Sequence, residues 1–330
     1  MTLSDGLTAV ALPFVLAATL LSACTSDHPG ITATTGVPTS TMLASTTVDT
    51  RPEATVSTAP PRTSATATLN SPTTQPTQTT QATQTQLPAL ERVLTVGDGV
   101  MFDLEPALAA SLAPAQLRPR AYLGSGLSNP EHFDWITQWP SYLDSRSPDD
   151  GPVQLVIVLL GVWDARTVTV EGVELIPGTP TWATWYRNVV TTAATTLAAG
   201  GAHVVWILPL TEPDPAKASR LAAVEAVIID VVGTIDGQEI VDGDVVLAGA
   251  ANRYASHDDH GDRLRKNDGE HLCPAGAIAL AEAVRTTTNR WFTPATADGT
   301  TDTAAAADDW RSGAWRTDPR YTRPEEGCAS

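Results

Sequence analysis

From Arg92 onward the chain alternates short, continuous apolar runs with longer stretches in which apolar residues recur every three or four positions. The runs have the length and bulk of buried strands, and the recurring stretches have helical spacing. Arg92 to Val96 is the first run; a turn holding Gly97 and Gly99 follows, and Leu104, Leu108 and Leu112 then predict a helix over Phe102 to Leu112. Val153 to Leu160, aliphatic except for Gln154, is the clearest buried strand, and its lack of alternation fits a parallel sheet covered on both faces. His203 to Leu208, closed by Pro209, is another. Helices are predicted over Trp182 to Ala199, stopped by Gly200 and Gly201, over Ala216 to Val232, and over Pro274 to Asn289 with proline at its start. His132 to Trp139 suits a short helix, and Arg120 to Leu123 leads into the glycine loop Gly124 to Ser128. Thr167 to Ile176 alternates about Glu171-Gly172 as a hairpin does. A further strand falls at Glu239 to Val241 or at Asp244 to Leu247. Strands alternating with helices predict an α/β fold, a three-layer α/β/α sandwich with a mainly parallel sheet. In such a sheet a strand, glycine turn and helix aim backbone N–H groups at the carboxyl edge, where ligands bind, so the chemistry is sought around residues 97–99.

The first quarter of the chain has a different pattern. Leu7 to Leu21 is an apolar run too short to span a bilayer comfortably, and it ends in Leu21-Ser22-Ala23-Cys24. That order of residues resembles a bacterial lipoprotein signal, with residues 1–23 removed and Cys24 lipidated. Against it, Met1 to Gly6 contains Asp5 and neither Lys nor Arg; an ordinary signal peptide or a single membrane anchor is the alternative. From residue 24 to about 87 the chain is Thr, Ser, Pro, Ala and Gln, which cannot bury enough surface to offset ordering, so an extended tether is expected. The expectation is an exported domain, residues 88–292, lipid-anchored at the outer face of the bacterial cytoplasmic membrane, followed by a polar tail, residues 293–330.

Charge and cysteine content narrow the partners. A net charge of −17 over 330 residues argues against nucleic acid and against electrostatic adhesion to anionic lipids, leaving Cys24 as the expected attachment to the membrane. Of three cysteines, Cys273 and Cys328 would both sit in an oxidising compartment and are predicted to pair, tying the tail to the domain; two separate thiols are the alternative. The run His257-Asp258-Asp259-His260-Gly261-Asp262 is consecutive rather than spaced to converge on one ion, and arginines flank it, so a solvated loop is expected and no metal or other cofactor. Trp135, Trp182 and Trp185 are expected in the core.

Three separated blocks carry a resemblance. Val96-Gly97-Asp98-Gly99-Val100-Met101, Leu159-Leu160-Gly161-Val162-Trp163-Asp164 and Asp268-Gly269-Glu270-His271-Leu272-Cys273-Pro274 stand in the order of the SGNH/GDSL hydrolase superfamily, especially its exported domains related to bacterial cell-surface acyltransferases. Gly124 in its loop resembles a fourth block. The resemblance implies a flavodoxin-like α/β/α domain and acyl-ester hydrolysis or acyl transfer on acylated cell-envelope carbohydrate or another small ester. By the resemblance, His271 would be the base and Asp268 its orienter, with Asp98, Gly124, Gly161 and the position of Trp163 on the oxyanion side of the pocket. Activated nucleophiles and preorganised donors are what that chemistry needs.

The sequence departs from the pattern at two central positions. Gly99 stands where the nucleophilic serine belongs, and Trp163 where the oxyanion asparagine belongs. A glycine cannot attack a carbonyl, so classical serine-hydrolase chemistry is expected to be impaired or absent. Ser125 in the neighbouring loop is a distant substitute, because hydroxyls in glycine loops more often bond backbone. His271 with Asp268 could activate water directly, worth roughly 10²–10⁴-fold, or could simply bond across its loop. The Trp163 indole, a donor only, could imitate one amide hydrogen, offer a stacking surface, or pack at the strand end. Two functions therefore stand open: a weak or unconventional esterase or acyltransferase, and a non-catalytic relative that binds an acylated glycan or a protein partner.

Overall fold

Val93, Leu94 and Val96 are buried in the first apolar run, which forms strand β1 (Arg92–Gly97). The structure, a computed structural model, describes residues 86–144, 151–249, 254–293 and 310–328. The expected signal peptide, Cys24 and the tether up to residue 85 lie outside the described residues. The remaining strands are β2 (Gln116–Arg118), β3 (Leu155–Leu159), β4 (Val168–Val170), β5 (Val173–Leu175), β6 (His203–Ile207) and β7 (Gln238–Val241). The main sheet runs β2-β1-β3-β6-β7 with every pair parallel, for example Val93 opposite Leu155 and Val156 opposite Val204. All five residues of β3 are buried, which is why that run shows no alternation.

Helices α1 (Gly99–Ser111), α2 (Trp135–Leu143), α3 (Pro180–Ala199), α4 (Pro215–Val232), α5 (Gly243–Ala248) and α6 (Pro274–Thr288) pack in two groups, α1 with α6 and α5, and α3 with α2 and α4. With the sheet they make the three layers the pattern predicts. Helix starts follow side-chain caps: Thr179 before Pro180 in α3, and Asp214 before Pro215 in α4, where its carboxylate accepts from Ala216 N at 2.8 Å and Lys217 N at 3.1 Å. Trp135, Trp139, Trp182 and Trp206 are core side chains, and Trp185 is partly buried against the same core. Among the described residues no helix is long and apolar enough to cross a membrane.

The short helix expected over His132 to Trp139 runs over Trp135–Leu143, and three further elements differ from the sequence reading. Helix α1 begins at Gly99 rather than Phe102, because Asp98 caps it directly from the strand end by accepting from Val100 N at 3.0 Å. Asp244 to Leu247 is helical: Asp242 caps Val245 N at 3.0 Å, so this run belongs to α5 and the strand is the preceding β7. Strand β2 is a half-exposed edge of three residues with no apolar run to announce it. The hairpin forms as predicted, Glu171 and Gly172 both adopting positive φ (50° and 81°), as a two-residue hairpin turn requires.

The tail is built onto the domain. Residues 310–326 form short helical turns, including α7 (Pro319–Thr322), and Trp310 and Trp315 pack against the core. Tyr321 is buried and its hydroxyl donates to the Asp103 carbonyl; the Arg320 guanidinium lies 3.9 Å from the Phe102 ring centroid. Cys273 and Cys328 are bonded across 55 residues of sequence. Replacing both cysteines with serine is expected to lower unfolding stability by about 2–4 kcal/mol, chiefly by freeing the unfolded chain. Urea unfolding of the double variant checks this; an unchanged midpoint would show that the bond adds nothing to stability.

Candidate active site

The site is built from turns at the carboxyl edge of β1 and β3 and from the loop before α6. That loop is shaped by Asp268, whose Oδ1 accepts from Glu270 N at 2.9 Å and His271 N at 3.0 Å, while Gly269 turns the chain at φ 77°. A short carboxylate bonding its own backbone two and three residues on makes such a turn. The second oxygen, Oδ2, then meets His271 Nδ1 at 2.7 Å. Spacing of three residues thus places base and orienter in one turn.

Asp103 of α1 fixes this loop to the helix. It is 1% exposed, with Lys266 Nζ at 3.0 Å on one oxygen and the Leu272 N–H at 3.1 Å on the other. Burial raises its carboxyl to about 6, against the lowering pull of Lys266. The imidazole is consequently held over the start of α1. A Cβ built on Gly99 would lie 2.5 Å from His271 Nε2, closer than real side chains tolerate. Nε2 would have to shift by several tenths of an ångström for a side chain at residue 99 to fit.

Electrostatics favour the protonated form of His271. Burial alone would lower its pKa, but the Asp268 bond and the charges of Asp103, Asp268 and Glu270 raise it to about 8. Burial acts to raise Asp268 too, yet the bonds from His271 and the two backbone N–H groups hold it well below the usual carboxylate range. Asp98, beneath the site, behaves oppositely. One oxygen caps α1, the other has no hydrogen-bond partner among the described residues, and burial pushes the carboxyl up to about 7.

The other positions on the resemblance lie one loop away. The Trp163 indole packs 3.2 Å from where a Cβ on Gly124 (φ 77°) would sit, with the Arg166 guanidinium 3.6 Å from its ring centroid. Asp164 is buried, accepting from Ser128 N at 2.6 Å and the Tyr186 hydroxyl at 2.9 Å, and so pins the glycine loop to the end of β3. Ser125 is fully buried; its hydroxyl donates to Tyr122 O at 2.6 Å and accepts from Trp135 Nε1 at 2.9 Å, leaving it no role at His271. Gly161 (φ 142°) faces Pro209 and Val224, packing behind the sheet edge. The His257–Asp262 stretch is a turn in which Asp258 accepts from His260 N and Asp262 N.

A cavity of about 410 Å³ opens beside His271. Gly99, Asp268 and His271 line it together with Phe102, Asp103, Leu123 and Lys266, and the tail supplies its far wall through Asp318, Pro319, Arg320, Arg323 and Glu326. Gly124, Gly161, Trp163 and Asp98 do not line it. Cys273 follows the histidine by two residues and, through Cys328, holds the tail wall in place. Sequence reasoning missed Asp103, Lys266 and the tail arginines. A charged residue inside the apolar face of α1 was the signal for the first, and the Cys328 pairing for the last.

An α/β sandwich whose first strand turn and Asp-x-x-His loop meet at one sheet edge is the arrangement that the resemblance to the SGNH/GDSL superfamily implies. The chain belongs to the family described as "Protein of unknown function (DUF459)", whose model matches residues 92–287. No curated protein matches it. Among solved structures, it is similar to an aryl esterase from M. smegmatis, with 15% identity and a TM-score of 0.44, over 61% of this chain and 100% of that one. The C-terminal catalytic domain of Streptococcus pneumoniae peptidoglycan O-acetyltransferase A matches at 14% identity and TM-score 0.41, over 61% and 94% of the two chains. A carbohydrate acetylesterase from Sinorhizobium meliloti matches at 18% identity and TM-score 0.43, over 61% and 100%.

The electrostatics give a pH prediction with a definite sign. His271, raised from 6.5 to about 8, adds stability that is complete below pH 6.5 and lost as pH rises through 8; Asp268, depressed, adds stability above pH 3.8 that is lost in stronger acid. NMR titration of the ring should give a midpoint near 8 in the wild type, and Asp268→Asn should bring it to 6.5 or below. A wild-type midpoint at 6.5 or lower would mean that the pair is not formed.

Proposed function

We infer that this protein is a non-hydrolytic SGNH-type domain that binds a small acyl-bearing ligand at the cell envelope, acylated carbohydrate being the class the resemblance implies. One observation carries the reading: residue 99 is a glycine with no side chain to attack a carbonyl, and His271 Nε2 lies 2.5 Å from where a Cβ there would sit. Supporting it, the ring is largely protonated at neutral pH, a poor state for a base and a good one for a hydrogen-bond donor. In sequence Trp163 takes the position that the resemblance gives to an oxyanion asparagine, and its indole packs beside Gly124 outside the lining of the cleft.

The intact His271–Asp268 pair favours a second reading, hydrolysis by water activated directly by the imidazole. That reading requires the neutral ring and hence pH above about 8. A fluorophosphonate probe and p-nitrophenyl acetate turnover, each followed at pH 7 and pH 9, separate the two. The wild type should neither label nor turn over. Turnover at pH 9 that His271→Ala abolishes would establish the hydrolase instead. Gly99→Ser supplies a hydroxyl, but the ring must retreat from 2.5 Å to beyond 3.0 Å; its side chain is 29% exposed, so it has room, and slow labelling is expected.

Export and anchoring rest on the order Leu21-Ser22-Ala23-Cys24. Radiolabelled palmitate fed to a bacterial host expressing the full chain should label it, and Cys24→Ser should abolish the label. Equal labelling of the variant would remove the lipid anchor from the account.

A further inference from the structure

We propose that the cleft beside His271 is a carboxylate site, taking the ionised acid group of a ligand with an apolar body in preference to the neutral ester. This rests on the reading that the cleft binds without cleaving, and it departs from the acylated carbohydrate named there by making the free acid the group recognised.

The charges of the wall carry the argument. Each acidic side chain there is already answered. Asp103 has Lys266 at 3.0 Å and the Leu272 N–H; Asp268 has the imidazole and two backbone N–H groups. Asp318 has Arg320 at 3.0 Å, and Glu326 has Lys266 at 3.2 Å. Two cationic donors are left over. His271 has Nδ1 committed to Asp268 and Nε2 without a hydrogen bond among the described residues. Arg323 is exposed at the opposite wall and forms no ion pair among the described residues.

Both donors face one cavity of about 410 Å³, a volume usual for small-molecule sites. An imidazolium N–H and a guanidinium fork lining the same cavity can give a carboxylate charge-assisted bonds that a neutral ester cannot return. A doubly charged phosphate fits less well, because four carboxylates share the wall. The rest of the rim is apolar: Leu123 is 60% exposed and Phe102 36%, both lining the cleft next to Gly99. Apolar side chains left bare at the mouth of a polar cleft suit a hydrocarbon body attached to the acid.

The test is an NMR titration of the full chain with sodium octanoate, octan-1-ol and methyl octanoate as matched probes, following the His271 ring and its neighbouring amides. Octanoate should bind about tenfold or more tightly than the alcohol or the ester, as loss of a charge-assisted bond predicts. Arg323→Gln should weaken octanoate by about tenfold on the same ground. Arg187→Gln, an exposed cation on α3 paired with Asp230, should change nothing and controls for overall charge. Equal binding of ester and acid, no effect of Arg323→Gln, or no octanoate binding up to its solubility limit would each overturn the carboxylate site. Consumption of methyl octanoate would overturn the non-hydrolytic reading instead, a result read separately from octanoate affinity.

Discussion

A single buried carboxylate, Asp103, determines where the parts of this cleft can be. Its two oxygens hold Lys266 and the backbone of Leu272, and its own carbonyl takes the Tyr321 hydroxyl, so one residue of α1 joins the helix, the histidine loop and the tail. A charge this deep is costly unless paired and bonded, and here each oxygen has a donor. Removing either partner would leave an uncompensated group in the interior. The position of His271 over Gly99 is therefore a consequence of packing, set from below by α1 and from the side by Cys273 and Cys328.

That constraint bears on the chemistry. An SGNH-type hydrolase needs a hydroxyl, a neutral imidazole to take its proton and donors for the oxyanion. In this chain the loop geometry that serves such an arrangement is kept, with Asp268 and His271 in one turn at the correct sheet edge. The contents differ. The imidazole leans into the space above Gly99, the surrounding carboxylates favour its protonated form, and an indole lies against Gly124. Protonation and crowding act in the same direction, and the proposed binding role rests on both. The tail completes the change, because without Arg320, Arg323 and Glu326 the cleft would be an open edge rather than a walled cavity.

Most of the scaffold was legible in the sequence because continuous aliphatic runs have few alternatives to a buried parallel strand. Val153 to Leu160 and His203 to Leu208 are of this kind, and the helix between them is framed by Thr179-Pro180 and Gly200. Where several local rules competed, the reading was less certain: Asp244 to Leu247 has β-branched residues that suit a strand, but an aspartate two residues earlier caps a helix. The three-residue β2 carries no local signal at all, since an edge strand is formed by its neighbour. The same holds for the site. The Asp-x-x-His turn is local and could be read directly, whereas the Asp103–Lys266 pair spans 163 residues and the tail wall more than 200, distances at which only the fold brings side chains together. Ser125 illustrates the converse, a residue close in sequence to the site whose hydroxyl the core has already engaged.

The measurement that bears most directly on this account is a crystal structure of the wild-type protein at neutral pH, at a resolution that places the His271 ring. The account predicts the ring bonded to Asp268 through Nδ1, with Nε2 facing the cleft 2.5 Å from where a Cβ on Gly99 would sit. A ring swung clear of Gly99, leaving a side-chain-sized gap with the Asp268 bond broken, would contradict it.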